Sequence, residues 1–258
     1  MYTRRTGSIL LACAILALGG SGCSREPTVH PTLSIAAAAN LTTALQAAGP
    51  KFEAQTGILP VFSFASTAQL AQQIENAAPF DVFMAADDTH AGQLEEKHLL
   101  VPGTRAVYAI GVLALWLPPG SPAAVTRIED LASPTLKTIA IAKPELAPYG
   151  AAAVESLKAA GIWDQVQGRV VYAENIAMAR QYGSSGNADA AFTAYSLVLH
   201  DPGKIIQIDE KLHKPIAQEL AILASSQHQA EARKFTAFFL SGGGRDVLRA
   251  FGYSFPKP

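Results

Sequence analysis

The sequence predicts an α/β protein built as two Rossmann-like lobes joined by two crossing strands, with a ligand cleft between the lobes. Three observations predict it. Short apolar runs alternate with helical patterns through the first half of the 258-residue chain, as in consecutive βαβ units. The same alternation starts again after Pro118-Pro119-Gly120. Two further apolar runs, near 112–117 and 216–222, stand where the chain would pass from one half to the other. No repeat of fixed period and no low-complexity linker separates the halves.

The first residues read as an address, not as fold. A basic MYTRR, an apolar run from Ser8 to Leu18 and the small residues GGSGC give residues 1–23 the pattern of a secretory signal peptide. The run is too short for a permanent membrane helix, and no later segment offers the roughly 18 to 20 apolar residues that a span needs. Both cysteines, Cys13 and Cys23, fall in this segment, so nothing after it can form an intramolecular disulfide or supply thiolates to a metal. Cys23 is similar to the acylated cysteine of a lipoprotein signal; a lipid tether there and ordinary cleavage nearby are the two readings. Loss of Arg4 and Arg5 leaves 18 basic against 21 acidic residues, which argues against a nucleic-acid partner.

In the first half, Leu33 to Ala38 reads as a buried strand. Asn40 to Gln55 reads as a helix with Leu41, Ala44, Leu45, Ala48 and Phe52 on one face, ended by Gly57. A strand at Leu59 to Phe64, a helix from Thr67 to Asn76 and a strand at Asp81 to Ala85 complete a parallel, doubly wound layout. Tyr108 to Leu117 is a long apolar run. The second alternation comprises a strand at Thr138 to Ala142, a helix at Gly150 to Ala160, a strand at Arg169 to Tyr172, a helix at Ile176 to Tyr182 and a strand at Ala190 to Ala194. After the apolar run Ile216 to Ala224, helices at Gln229 to Leu240 and Gly244 to Phe251 return to the first lobe. The expected division is residues 32–113 with 219–258 as lobe 1 and 114–218 as lobe 2.

Four strand-to-helix turns carry the candidate chemistry. Asn40 occupies a helix N-cap position, Ser66 and Thr67 open the next helix, Pro148-Tyr149-Gly150 opens one in the second lobe, and Glu174-Asn175-Ile176 opens another. Helix N-termini at the carboxyl ends of parallel strands collect free N–H donors and the positive end of the helix dipole, which suits an anion. Each turn taken alone is equally consistent with plain capping, and Tyr149 with a surface aromatic. None has the Gly-rich loop and Lys that a nucleotide would call for, so the pattern fits a small oxyanion better. Lys143, the nearest cation, reads as solvated. For an enzyme, Gly183-Ser184-Ser185-Gly186 lacks the nucleophile-elbow spacing and reads as a turn. His30, His90, His98, His200, His213 and His228 show no metal-ligand spacing.

At these residues the chain resembles the periplasmic molybdate-binding protein family, within the type II periplasmic-binding-protein fold. The matching segments are AAAANLTTAL from Ala36, FASTAQLAQQIENAAPFDVFMAAD from Phe64, AKPELAPYG from Ala142, YAENIAMA from Tyr172, GNADAAFTAYS from Gly186 and FGYSF from Phe251. The resemblance implies a molybdate or tungstate ligand, with no cofactor and no catalysis. Its oxygen atoms would be held by Asn40 and Thr67, with Ser66, from the first lobe, and by Tyr149 and the Ile176 backbone N–H from the second. The metal would then be reached only through those oxygens. Some members carry a tyrosine where this chain has Ala194, and Tyr149 is taken to stand in for it. The family further implies a monomer in the periplasm, free or tethered through Cys23, that serves an ABC importer permease with its ATPase. Sulfate or another tetrahedral oxyanion is the alternative ligand, and an exported hydrolase the more remote alternative. On this reading Asn40→Ala and Tyr149→Phe should weaken binding and leave the unliganded protein's thermal transition nearly unchanged.

Overall fold

The computed structural model describes residues 31–122 and 124–256; the predicted signal segment, residues 1–23 with Cys13 and Cys23, lies outside the described residues, as does His30. The chain begins with β1 (Thr32–Ala38), α1 (Thr42–Thr56), β2 (Leu59–Ala65), α2 (Thr67–Glu75), β3 (Val82–Met84), α3 (Thr89–Glu96) and β4 (Ala106–Gly111). It continues with β5 (Leu113–Leu117), β6 (Ile139–Ala142), α4 (Pro148–Ala159), α5 (Trp163–Val166), β7 (Val170–Ala173), α6 (Ile176–Ser184), β8 (Ala190–Ala194), α7 (Tyr195–Val198) and β9 (Lys204–Gln207). Strand β10 (Ile216–Ile222), α8 (Gln229–Ser241) and α9 (Gly243–Ala250) close it. No helix among the described residues is long and apolar enough to cross a membrane.

Two five-stranded sheets result, in the orders β2-β1-β3-β10-β4 and β7-β6-β8-β5-β9. They share one plan: β1 pairs in parallel with β2 and β3, as β6 does with β7 and β8, and two antiparallel strands follow in each sheet. The apolar run Tyr108 to Leu117 is therefore two strands, one in each sheet, with the crossing at Val112. The return crossing uses the segment between Gln207 and Ile216, and β10 lies wholly in the first sheet.

Burial explains the layering. In the first lobe Leu41, just ahead of α1, and Ala44, Leu45, Ala48 and Phe52 of α1 are buried, as the helical spacing predicts. They join an aromatic cluster in which Phe52 meets Phe235 edge-on at 5.2 Å and Phe235 meets Phe239 at 4.9 Å. Leu70 and Ile74 of α2 and Leu94 of α3 belong to a separate buried cluster with Phe83. Each large apolar side chain withdrawn from water contributes roughly 1.5 to 3 kcal/mol, so these faces outweigh weak helix propensity. Gly57 ends α1 with φ of 70°, a left-handed geometry that costs glycine little.

Helices α3, α5 and α7 and strand β9 have no counterpart in the pattern reading. The reason is visible in α3, where only Ala91 and Leu94 of THAGQLEE are buried. Strand β9 is a four-residue edge strand with exposed Lys204 and half-buried Ile205 and Ile206.

Candidate functional site

The register of the first sheet aligns Ala38 of β1 with Ala65 of β2, so the turns that leave these strands lie side by side. In the second sheet Ala142 aligns with Ala173 in the same way, which brings the start of α4 beside the start of α6. The two pairs of turns face one another across the cleft. Asn40, Ser66, Thr67, Tyr149 and Ile176 all line one small cavity there, with Asn175 and Ala86. The room left between the lobes there is about 10 Å³, far below the roughly 300 to 1,000 Å³ of sites for drug-sized ligands. Larger clefts of about 590 Å³ open at Trp116 to Pro202 and at Ile110 to Ser254, but they lie away from the facing helix starts.

Asn40 is not the N-cap that its sequence position predicts. It sits in a short 3-10 turn, Ala39–Leu41, and α1 begins at Thr42 with no side-chain cap. Its side chain is drawn instead into a buried polar network: Nδ2 donates to Gln218 Oε1 and to the Tyr253 hydroxyl, both at 2.9 Å. Its Oδ1 is buried without a partner. Its carbonyl oxygen accepts from Ser196 Oγ and from the Tyr253 hydroxyl, each at 2.9 Å.

Ser66 is the N-cap of α2, accepting from the Gln69 amide at 3.4 Å while its own amide donates to Gln69 Oε1 at 3.3 Å. Thr67 Oγ1 accepts from the Ala86 amide at 3.1 Å, which leaves its hydroxyl hydrogen for another acceptor. Both side chains are buried.

Tyr149 is the second residue of α4, and its burial excludes the surface-aromatic reading. Pro148 occupies the first helical position, where no N–H is needed. The Tyr149 hydroxyl accepts from Gln218 Nε2 at 2.9 Å. Burial, assisted by Tyr253, pushes its ionisation well above the ordinary tyrosine range, against the weaker opposing pull of the neighbouring Gln218 and Asn40 amides. It is a permanent neutral hydroxyl at physiological pH. Ile176 opens α6 after Asn175, whose side chain caps the helix by accepting from the Met178 amide at 3.0 Å. The first-turn N–H groups of that helix, Ile176 included, have no acceptor within the helix itself.

No charged side chain lines this cavity. Lys143 pairs with Glu174, whose other oxygen accepts from Gln69 Nε2 of the first lobe at 3.4 Å. Among the described residues no cluster of His, Cys, Asp or Glu could hold a metal ion. Ser184 and Ser185 bond back to Gln181 and Tyr182 carbonyls at the end of α6, and His90 pairs with Asp87 at 2.7 Å. What remains is a neutral nest of hydroxyl and amide donors with helix starts aimed inward. Such a lining suits a small anion.

Sequence reasoning missed Gln218, Tyr253, Tyr108 and Ser196, which support the lining residues from behind. Gln218 had a signal, since with Glu219 it interrupts an otherwise apolar run and a buried amide in mid-sheet demands partners. Gly111 is part of the same construction: a Cβ there would lie 2.2 Å from the Tyr149 hydroxyl and 2.5 Å from Gln218 Nε2.

Residues 33–254 match the family model for bacterial extracellular solute-binding proteins. A molybdate-binding protein ModA of Rhodobacter capsulatus is 32% identical over 253 residues, covering 97% of this chain and 96% of that protein. Its counterpart in Azotobacter vinelandii is 34% identical over 258 residues, covering 95% and 98%. The solved structure of the Azotobacter vinelandii periplasmic molybdate-binding protein is similar with a TM-score of 0.82 at 31% identity, over 87% of this chain and all of that one. A sulfate-binding protein, SubI of Mycobacterium tuberculosis, shares the fold at 15% identity with a TM-score of 0.75, over 87% and 86%.

Proposed function

The chain belongs to the bacterial extracellular solute-binding protein family, and from that premise we propose that it captures molybdate or tungstate between its lobes and delivers it to an importer. The family acts outside the cytoplasm. The observation that carries the reading is the small cavity lined by neutral donors from the helix starts of both lobes. The relatives named for molybdate binding, at 32% and 34% identity over nearly the whole chain, give the ligand its identity.

In this reading Thr67, with Ser66, and Asn40 serve the oxyanion from the first lobe, and Tyr149 and the Ile176 N–H from the second. Each hydrogen bond to a charged group contributes about 1.5 to 3 kcal/mol, so a handful, with the dipoles of α2, α4 and α6, offset the desolvation of a dianion without any resident cation. Rejection of smaller anions follows from a closed ring whose bonds a sulfate would leave long. The metal is touched only through its oxygens. The ligand leaves unchanged, and the protein is a carrier, not a catalyst.

The moving parts would be the two lobes, with the expected boundaries at 113/114 and 218/219 drawn back to the crossings at Val112 and between Gln207 and Ile216, because β5 starts at Leu113 in the second sheet and β10 lies wholly in the first; they would hinge about those crossings and be closed by ligand. The same reading has the protein work as a periplasmic monomer with an ABC permease and its ATPase, free or anchored by acylated Cys23. Calorimetric titration of the mature protein with molybdate, tungstate, sulfate and phosphate tests it. Binding of the first two with rejection of sulfate is expected; tight sulfate binding with no response to molybdate overturns the assignment.

A further inference from the structure

Behind the cavity lies a buried polar network whose centre is Gln218, a fully buried residue of β10. It stands at an irregularity in the pairing of β10 with β4, where Gln218 faces Ala109 but Glu219 faces Val107. The extra residue in β4 is Tyr108, and such a bulge re-aims side chains. Gln218 Oε1 accepts from Asn40 Nδ2 at 2.9 Å and from the Tyr108 hydroxyl at 2.8 Å, while Nε2 donates to the Tyr149 hydroxyl at 2.9 Å. One amide thus connects a lining residue of the first lobe to one of the second.

The polarity of this arrangement is a problem for an oxyanion. With both Nδ2 hydrogens spent on Gln218 and Tyr253, Asn40 has only its unpartnered carbonyl oxygen left for the cavity it lines. An amide oxygen facing an anion is repulsive. The network has a second solution, because the two ends of an amide differ little in shape and three hydroxyls here can rotate. With both amides reversed, Gln218 Nε2 donates to Asn40 Oδ1 and to Tyr108. Tyr108 passes its hydrogen to the Ala85 carbonyl, already 3.2 Å away. Tyr253 donates to Asn40 Oδ1, and Ser196 Oγ keeps the Asn40 carbonyl oxygen. Tyr149 donates to Gln218 Oε1. Asn40 Nδ2 then faces the cavity with both hydrogens.

Without an anion the first solution wins, because it orphans a carbonyl oxygen, a smaller cost than an orphaned buried N–H₂. With an anion the second wins. We propose that Gln218 is the positioning residue that sets the donor polarity of the site, and that oxyanion capture reverses the Asn40–Gln218 amide pair. This deepens the oxyanion reading and rests on it. It also revises the donor set: Asn40 gives the hydrogen bonds to the bound anion, and Tyr149, with its one hydrogen spent on Gln218 Oε1, serves the site by holding Gln218 in the reversed state and not by donating to the anion.

The test uses the mature protein with molybdate, or with whichever tetrahedral oxyanion calorimetry shows that it binds. In the free protein the Asn40 side-chain amide protons should give nuclear Overhauser contacts to the Tyr253 ring. At saturation those contacts should vanish, with the Gln218 amide protons acquiring contacts to the Tyr108 ring. Contacts from Asn40 to Tyr253 that persist in the saturated protein overturn the reversal while leaving oxyanion binding intact. Binding of no oxyanion at all brings down both readings. A double-mutant cycle gives a second, independent readout. Gln218→Met should weaken binding roughly tenfold to a hundredfold, and Tyr149→Phe should add less than threefold in that background although it costs more than that alone. Fully additive losses would mean that Gln218 only fills space.

Discussion

Asn40 carries both the contact proposed for the oxyanion and part of the fold. Its Nδ2 serves two buried acceptors, so Asn40→Ala should weaken molybdate binding about tenfold to a hundredfold and also cost the unliganded protein about 1 to 2 kcal/mol. The expectation of a nearly unchanged thermal transition, which follows from Asn40 as a ligand donor alone, is revised by this network. Calorimetric titration paired with a thermal melt separates the two losses. Gly111→Ala should act through the same place: its methyl would lie 2.2 Å from the Tyr149 hydroxyl, forcing a shift that costs roughly 1 to 3 kcal/mol and spoils binding. An Ala variant that binds molybdate like the wild type would show that Tyr149 yields freely. The positions of Asn40, Ser66, Thr67, Tyr149 and Ile176 were legible because strand-to-helix turns announce themselves locally. Gln218 and Tyr253 were not legible as site residues, because their partners lie 178 and 213 residues away from them at Asn40.

At the scale of elements, helix starts are the working parts, and their caps can be tested one at a time. Ser66 closes a capping box with Gln69 on α2, so Ser66→Ala should lower stability by about 1 kcal/mol, or a few degrees in a melt of a protein this size. Ser66→Gly, which keeps the backbone geometry of a cap, should lose less. Strong amphipathic or all-apolar segments such as α1, α2 and β6 were readable because their burial is written in residue spacing. The limits of α4 were not, since Pro148 reads equally as the end of a loop and as a first helical residue. A single apolar run hid the break between β4 and β5 for a related reason. Strands buried on both faces lack the alternation that would mark where one sheet hands over to the other.

For the whole molecule the relevant observable is the titration of Tyr108, Tyr149 and Tyr253, the buried tyrosines among the described residues. Burial raises the ionisation of Tyr108, Tyr149 and Tyr253 above the ordinary value. A raised pKa means that the folded form holds protons the unfolded chain releases, so stability is intact below about pH 10 and falls as pH rises beyond it. Melting temperatures measured from pH 8 to 11.5 should therefore be level at first and then drop steeply, with a shallower drop for Tyr149→Phe. Molybdate affinity should stay nearly flat between about pH 6 and 8, where none of the lining groups titrates. At a ligand concentration of 100 times Kd the anion should add about 2.7 kcal/mol to stability, visible as a rise in Tm. The two-lobed plan was legible from the doubled alternation, but the closeness of the lobes was not. That closeness depends on contacts such as the Ala68 amide with the Leu146 carbonyl at 3.2 Å, which no local pattern encodes.

The placement of β10 in the middle of the first sheet bears on how the chain is made. The second sheet is assembled from one uninterrupted stretch, Leu113 to Gln207, whereas the first sheet must wait for Ile216–Ile222 before β3 and β4 have a strand between them. During synthesis, or on emergence head-first through a secretion pore, the earliest residues are thus the last to be locked into place. A nascent chain halted at residue 215 should carry a protease-sensitive amino-terminal third beside a protected middle. Delayed completion of this kind would keep the leading part of the polypeptide threadable until its final helices arrive.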